Sequence, residues 1–249
     1  MKRLKPGRPF TSELAARLMA LPKAERHERL REIIHSLPRG ERFELLHRLG
    51  VYHHAETVSG AASILPETAS LRAALLAIVD EERVGILLDL PCGDFHWMQH
   101  VDLRAHYTKT DLVPEIVSAN RRLYGGAKRR FVVLDAVTDP LPKADLILCR
   151  DLLVHLSLCD IAAVLRNFVA SGSRLLLTSH FGSRIDNPDI ETGDFRPVNL
   201  CRAPFGLPSP QRVVDERSQL GSGAFRDRAM GLWDLPELVE VLTAERAAR

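Results

Sequence analysis

The strongest constraint on the fold is an alternation of short apolar runs with helical segments that begins near residue 85. Five runs are rich in Leu, Ile and Val, and segments whose apolar residues recur at helical spacing lie between several of them. The runs occupy residues 85–90, 105–112, 129–136, 144–151 and 173–181. Strands that alternate with helices of about 10 to 15 residues are typical of a parallel sheet with helices on both faces. We therefore expect an α/β domain with a doubly wound, mostly parallel sheet.

The residues before this alternation follow a different pattern. From residue 11 to residue 49 apolar residues recur at helical spacing, and LPKAERHERL matches LPRGERFELL imperfectly, sixteen residues further on. Two copies are too few for a solenoid, so they predict a helical hairpin. We expect a helical N-terminal extension over residues 1–55 and the sheet domain over residues 56–249, where the tail adds a sixth strand and a closing strand or helix.

Composition excludes several classes of protein. The 45% hydrophobic and 27% charged residues are ordinary for a globular domain, and no apolar run approaches the roughly 18 residues of a membrane span. The basic N-terminus has no apolar segment of a secretory signal after it, so we expect a cytoplasmic protein. The cysteines form no C-x-x-C pair, which predicts reduced thiols and no metal site; they are Cys92, Cys149, Cys159 and Cys201.

Charge is concentrated at the front of the chain. Residues 1–60 carry 12 Lys or Arg against 7 Asp or Glu, although the net charge of the whole chain is only +2. Such a surplus is typical of a solvated helix surface, and less often of a surface that meets nucleic acid or another acidic partner. Nucleic acid is therefore not the expected partner.

Acidic residues recur where the predicted strands end. Asp89, Asp111 and Asp135 close the first three runs, and Arg150 and Asp151 close the fourth. Ligands of such sheets bind outside the carboxyl ends of the strands. The distance from Asp89 to Asp111 is close to the roughly 20 residues at which a dinucleotide fold places its ribose ligand, so Asp111 is the predicted ribose ligand. Helix capping is the alternative role for Asp89 and Asp135.

The turn PCGDF that follows Asp89 indicates what accompanies the ribose. A pyrophosphate needs several backbone N–H groups, whereas this turn has one glycine, Gly93, and in Pro91 a residue without an N–H group. A ligand with a ribose and no phosphate fits better, and S-adenosylmethionine is the common one. Asp89 would accept its ammonium group, and Gly93 would let the backbone approach it closely. A Rossmann-like enzyme with another nucleotide is the alternative.

These stretches resemble a bacterial family of class I S-adenosylmethionine-dependent methyltransferases whose acceptors are mostly uncharacterised. The resemblance covers about residues 56–235 and rests on LLDLPCGDFHWM, YTKTDLVPEIV, FVVLDAVTDPLPKADLILCRDLLVHL, NPDIETGDFRPVNL, PFGLPSP and MGLWDL. The general class motif is D-x-G-x-G-x-G, and of its three glycines only the middle one remains here, as Gly93. Pro91 and Phe95 replace the other two glycines, and the smaller family that this chain resembles shares both replacements. Residues 1–50 lie outside the resemblance.

The resemblance implies a Rossmann-like methyltransferase fold and roles for particular residues. Asp89 would lie near the methionine part of the cofactor, Asp111 at the ribose and Asp135 at the adenine. The remaining implied cofactor-binding residues are Pro91, Cys92, Gly93, Leu112, Ala136, Cys149 and Arg150. Asp151 and His155 would point toward the methyl acceptor.

Methyl transfer makes few demands on side chains. It is an in-line displacement, so most of the catalysis comes from holding the acceptor close and aligned. A hydroxyl acceptor benefits from a general base, for which His155 or His180 is a candidate, although each is also explained as a core histidine. Packing is likewise the simpler explanation for Phe95 and Trp97. The sequence RDLLVH replaces the D/N-P-P-Y/F motif of DNA amino-methyltransferases.

The segment of residues 187–210 reads as a long ordered loop over the strand ends. In it Asp194, Arg196 and Asn199 offer hydrogen bonds to a small polar acceptor such as a sugar or glycan hydroxyl. Arg196 is equally explained as one partner of an internal salt bridge that ties down the loop. The alternative to an enzyme is an inactive binding or regulatory protein that keeps the fold.

Overall fold

The computed structural model describes residues 8–244 of the chain. Seven α-helices and seven strands follow one another within this range. The helices are α1 (Arg8–Met19), α2 (Lys23–Ser36), α3 (Arg39–Arg48), α4 (Leu65–Glu81), α5 (Pro114–Tyr124), α6 (Leu158–Ala170) and α7 (Val239–Ala244). The strands are β1 (Ile86–Asp89), β2 (His106–Asp111), β3 (Arg129–Val133), β4 (Leu146–Cys149), β5 (Leu175–Phe181), β6 (Arg212–Asp215) and β7 (Arg228–Asp234).

All the described strands form one sheet. Their order is β3-β2-β1-β4-β5-β7-β6; β1 to β5 run parallel to one another, and β7 runs antiparallel to both β5 and β6. The chain moves outward from β1 to β3 and then returns to the other side of β1 with β4. The predicted doubly wound, mostly parallel sheet with helices ahead of it is confirmed, and the place where strand order reverses lies between β1 and β4.

The sheet is covered on both faces, as the near-continuous apolar character of its strands predicts. Neighbouring side chains of β1 go to opposite faces, so Leu87 joins an apolar cluster with Leu71 and Leu75 of α4, whereas Leu88 joins one with Ile161 and Val164 of α6. Every residue of β4 and β5 is buried. Each fully buried Leu or Val side chain contributes about 1.5–3 kcal/mol relative to exposure, so these strands fix the frame on which the loops at their ends are placed.

Helices α1 to α3 form a small unit with its own apolar cluster, centred on Leu18, Ile34, Leu45 and Leu46. Pro22 and Pro38 stand at the N-caps of α2 and α3, in agreement with the two matching sequence stretches. The division between residues 55 and 56 stays a prediction. Within residues 8–244, no helix combines the length and the apolar composition that a membrane span requires.

Candidate functional site

A cavity of about 260 Å³ lies at the carboxyl end of the parallel strands, where the strand order reverses between β1 and β4. The predicted cofactor residues line it with one exception, because the side chain of Cys149 is fully buried in the core next to the cavity. The ones that line it are Asp89, Pro91, Cys92, Gly93, Asp111, Leu112, Asp135, Ala136 and Arg150.

The turn after β1 is fixed by backbone conformation and by contact with the segment before α4. Gly93 has a φ of +52°, and a Cβ placed there would lie 2.2 Å from Oγ of Ser59. Asp94 holds this segment against the turn, since its carboxylate accepts hydrogen bonds from the hydroxyls of Thr57 and Ser59. Only glycine combines this left-handed conformation with so close an approach.

The backbone N–H groups of the turn are all engaged within the protein. Cys92 donates to the carbonyl of Thr110 at 2.8 Å, Gly93 to the carboxylate of Asp111 at 3.1 Å, and Asp94 to the hydroxyl of Ser59 at 3.0 Å. Phe95 donates to the carbonyl of Cys92, and Pro91 has no N–H group. The turn therefore offers no cluster of free amide donors of the kind that holds a pyrophosphate.

Phe95 replaces a glycine of the class motif and has a φ of +62°. Its side chain is only 2% exposed, and its ring packs edge-on against Tyr124 and Phe131, at centroid distances of 5.0 and 5.9 Å. Its packing role is confirmed. Trp97 is also buried, but it lines the cavity as well.

Asp111 ends β2 with its carboxylate at the cavity. Oδ2 accepts from the amide of Gly93 at 3.1 Å, and Oδ1 accepts from the amide of Val113 at 3.0 Å. Burial raises the pKa of Asp111 to about 6, against the opposing effect of these amide hydrogen bonds. A carboxylate oxygen can accept two hydrogen bonds, and the amide of Leu112 also bonds this carboxylate, so at least one lone pair of Asp111 stays free for a donor from the cavity.

Asp89 ends β1 in a more enclosed position. Oδ2 accepts a hydrogen bond from the hydroxyl of Tyr107, and among the described residues no group donates to Oδ1. Burial raises the pKa of Asp89 to about 7. The carboxylate thus has one free oxygen, on a residue that lines the cavity.

Asp135 is engaged by the helical extension. Arg39 of α3 donates from Nε to both carboxylate oxygens at 3.2 and 3.0 Å, and the same guanidinium reaches Asp160 of α6 at 3.0 Å. These groups are about one-fifth exposed. Asp135 lines the cavity, but its carboxylate already has a cationic partner, and its role toward an adenine stays a prediction.

A cluster of four charged side chains lies beyond β4, and Arg150, Asp151 and Arg228 of this cluster line the cavity. Arg150 and Arg228 donate from Nε to separate oxygens of Glu216 at 2.7 and 2.6 Å, and the Glu216 side chain is fully buried. Arg228 also donates to Asp151. Burial opposes ionisation of Asp151, but the two guanidinium groups outweigh it and lower the pKa of Asp151 to about 2. Asp151 lines the cavity, but with so low a pKa its carboxylate is too weak a base to take a proton at neutral pH.

His155 has the geometry of a general base. Its Nδ1 lies 2.8 Å from the carbonyl oxygen of Asp194, and its ring packs against Tyr52 and Phe195 at 4.9 and 5.6 Å. A carbonyl only accepts, so Nδ1 carries the proton and Nε2 has a free lone pair. Burial lowers the pKa of His155 below its usual 6.5, so the ring is neutral at pH 7. Among the described residues nothing hydrogen-bonds Nε2, and His155 lines the cavity.

His180, the other predicted base, does not line the cavity. It is buried in β5 against the ring of Trp233 at 5.6 Å and accepts a long hydrogen bond from the amide of Leu200. In the structure His180 is a core residue, which was the alternative to its catalytic role, because alternate residues of β5 face the α6 side of the sheet.

The loop residues predicted to bind an acceptor do not line the cavity either. The carboxylate of Asp194 lies 3.4 Å from Nε2 of His35 on α2. Arg196 donates to three carbonyls, including that of Leu156 at 2.8 Å, and so ties the loop by carbonyls rather than by a salt bridge. The side-chain amide of Asn199 hydrogen-bonds backbone groups, and its Nδ2 donates to the carbonyl of Arg184 at 2.7 Å. All three hold the loop in place.

The residues that sequence reasoning missed come from the helical extension and the segment after it. Arg39, Phe43, His47 and Tyr52 line the cavity, and so do residues 58–63. Tyr52 and Arg42 anchor the extension to the long loop through the carbonyls of Gly193 and Thr192. Helical periodicity identified these helices, but their sequence does not indicate which surface of the sheet domain they contact.

Comparison with protein-family models and with curated proteins gave no match. Among solved structures, the N-methyltransferase NodS from Bradyrhizobium japonicum WM9 is 14% identical, with a TM-score of 0.46, over 68% of this chain and 96% of that one. In complex with S-adenosyl-l-homocysteine, NodS is matched over 65% of its chain.

Two further solved structures match a smaller part of the chain. One is CalS10, an amino pentose methyltransferase from Micromonospora echinaspora with SAM bound, at 21% identity and a TM-score of 0.38 over 43% of this chain and 48% of CalS10. The other is the magnesium protoporphyrin IX methyltransferase ChlM from Synechocystis PCC 6803 with bound SAH, at 16% identity and a TM-score of 0.39 over 47% of this chain and 57% of ChlM. At these identities and TM-scores, the matches decide neither the cofactor nor the acceptor.

Proposed function

We propose that this protein is an S-adenosylmethionine-dependent methyltransferase that acts on a small acceptor with a hydroxyl group. The observation that carries the proposal is the turn of residues 91–95, whose amides are all engaged or missing while Asp111 beside it keeps at least one free lone pair. Such a site suits a nucleoside that brings a ribose and no phosphate. A dinucleotide enzyme would need the amide donors that this turn uses internally.

Several residues fit the parts of this cofactor. The ribose hydroxyls would donate to Asp111, the ammonium group to the free oxygen of Asp89, and Gly93 would give the backbone its closest approach. Leu112, Ala136 and Val137 would contact the adenine, since they line the cavity beside Asp135. Bound there, the cofactor supplies an electrophilic methyl group on a sulfonium centre.

The acceptor would enter beside His155. Nε2 of this residue would accept the proton of the acceptor's hydroxyl group, and the carbonyl of Asp194 would stabilise the proton already on Nδ1. Phe43, Tyr52 and Phe195 would exclude water from this end of the cavity. A sugar hydroxyl remains within this class, but the case for a sugar no longer includes Asp194, Arg196 or Asn199.

Calorimetry with S-adenosylhomocysteine tests the cofactor. We expect the wild-type protein to bind it and Asp111→Asn to bind it roughly 10- to 100-fold more weakly, because the lost hydrogen bonds involve a charged acceptor. The matched control is Asp102→Asn, an exposed residue outside this cavity. Absence of binding to the wild-type protein, or tighter binding of NAD, would overturn the proposal.

An inactive binding protein is the second candidate, and turnover distinguishes it. Incubation with tritiated S-adenosylmethionine and fractionated small molecules from a cell lysate should label one fraction if the protein is an enzyme. His155→Gln should then lower the labelling rate while leaving cofactor affinity unchanged. Cofactor binding without labelling of any fraction would favour the regulatory role.

A further inference from the structure

A fully buried lysine lies directly beneath the turn that carries the predicted cofactor residues. Lys109 stands on β2 in register with Asp89 on β1, and its side chain is inaccessible to solvent. Among the residues that the structure describes, none hydrogen-bonds its ammonium nitrogen. Burying an unpaired ammonium group costs several kcal/mol of folding free energy unless its surroundings compensate. A lysine at this position therefore needs a compensating interaction.

Three aromatic rings surround this ammonium group. Nζ of Lys109 lies 3.0 Å from the ring centroid of Phe95, 4.1 Å from that of Tyr107 and 4.6 Å from that of Phe131. A desolvated cation over an aromatic ring gains about 2 kcal/mol or more, so the three rings partly replace its lost hydration. The cage also explains Phe95, which supplies the nearest ring from a backbone conformation that glycine would adopt more easily.

The positive charge of Lys109 acts on Asp89 at a distance and leaves the carboxylate oxygens of Asp89 free of a bond to Lys109. The two side chains form no salt bridge, and Asp89 receives its hydrogen bond from Tyr107 instead. A buried carboxylate on its own tends to take up a proton, whereas a nearby cation favours the ionised form. Lys109 therefore stabilises a negative charge on Asp89 while Oδ1 stays available to a ligand in the cavity.

We propose that Lys109 is a positioning residue of the cofactor site: its caged ammonium group keeps Asp89 ionised, so that Asp89 can pair with the ammonium group of an amino-acid-bearing nucleoside. The proposal rests on the proposed function for the identity of the ligand. Lys109 touches neither the ligand nor the reacting atoms and acts only through Asp89.

The pH dependence follows from the groups that face this pair. They are Tyr107, Asp111 and Arg150 around Asp89, and Cys92 and Arg129 around Lys109. Burial raises the pKa of Asp89 to about 7 and lowers the pKa of Lys109 to about 7, and the charge of each residue opposes the shift of the other. Lys109 therefore acts on Asp89 mainly below and around pH 7, where its ammonium group keeps its proton. Because a ligand ammonium prefers ionised Asp89, affinity should rise as pH increases through this pKa. Without Lys109, the midpoint of that rise should move to higher pH.

The test measures affinity for S-adenosylhomocysteine by calorimetry between about pH 5.5 and 9. Lys109→Met keeps the length of the side chain and removes its charge, and we expect its midpoint to move up by about one pH unit or more. Lys128→Met, the same substitution at an exposed position, should follow the wild-type curve. If Lys109→Met weakens binding equally at every pH, the role is purely structural and the proposal is wrong.

A second measurement separates this proposal from the identity of the cofactor. The carboxyl carbon of Asp89 is titrated by NMR in the protein without ligand, with its resonance assigned from its absence in Asp89→Asn. The midpoint should be higher in Lys109→Met than in the wild-type protein, whether or not S-adenosylhomocysteine binds. If Lys109→Met does not fold, Phe95→Leu removes the nearest ring and should shift the midpoint in the same direction. An unmoved midpoint refutes the coupling.

Discussion

Replacing Phe95 with glycine would restore the residue that the general class motif has at this position, and we expect it to destabilise the protein. The ring is 2% exposed and packs against three other aromatic rings. Removal of a buried Phe ring costs about 3–5 kcal/mol. Glycine recovers about 1–2 kcal/mol of the penalty for a left-handed residue, and its greater freedom in the unfolded chain takes back about 0.5–1 kcal/mol. The net loss is therefore about 2–4 kcal/mol.

Phe95→Ala provides the matched comparison, because it loses the same ring and keeps the left-handed penalty. Free energies of unfolding from urea denaturation should rank wild type first, Phe95→Gly second and Phe95→Ala third, with about 1 kcal/mol between the two variants. The reasoning is refuted if Phe95→Gly matches the wild-type stability, since the ring would then contribute nothing, or if Phe95→Ala is the more stable variant.

Two further predictions concern the charge cluster and the turn. In wild type the pKa of Asp151 is lowered to about 2, below the roughly 3.9 of an unfolded chain, so its stabilising effect is present above about pH 4 and is lost as pH falls toward 2. Asp151→Asn should therefore be less stable than wild type at neutral pH, and the difference in urea denaturation should shrink between pH 4 and 2; a constant difference would contradict the assigned pKa. Gly93→Ala should cost about 1–3 kcal/mol of stability, because its Cβ would lie 2.2 Å from Oγ of Ser59 in a left-handed conformation. Adding Ser59→Ala should recover part of that loss, and no recovery would show that the close contact is unimportant.

The cavity at the strand ends joins two parts of the chain that differ in sequence character. The sheet supplies Asp89, Asp111 and the charged residues after β4, while α3 and the segment that follows it supply Arg39 and Tyr52. Arg39 binds Asp135 and Asp160, so the extension is held to the sheet domain at the edge of the cavity itself. The extension is therefore part of the candidate site.

The hydrophobic periodicity and the residue types at the strand ends were sufficient to predict the strands and the edge of the sheet at which the candidate site lies. Apolar runs bounded by turn residues determined the strands, and their parallel arrangement brought Asp89, Asp111 and Arg150 to one edge, because parallel strands share their carboxyl ends. A single glycine between Pro91 and Phe95 was enough to disfavour a phosphate-binding turn. These inferences depend on local residue types, which the sequence displays directly.

Tertiary structure decided where long-range partners fall. His155 and His180 look alike in sequence, yet the carbonyl of Asp194 orients one at the cavity while strand alternation turns the other against Trp233. Asp194, Arg196 and Asn199 could not be told from ligands, because a polar side chain bonds a neighbouring carbonyl as readily as a substrate.

Lys109 shows the same limit most plainly. Its place among three rings depends on the register of β2 against β1 and β3 and on the turn that brings Phe95 over it. Sequence determined the sheet, its edge and the chemistry available there. Packing between distant segments determined which of those groups are paired, which are buried without a partner and which remain free for a ligand.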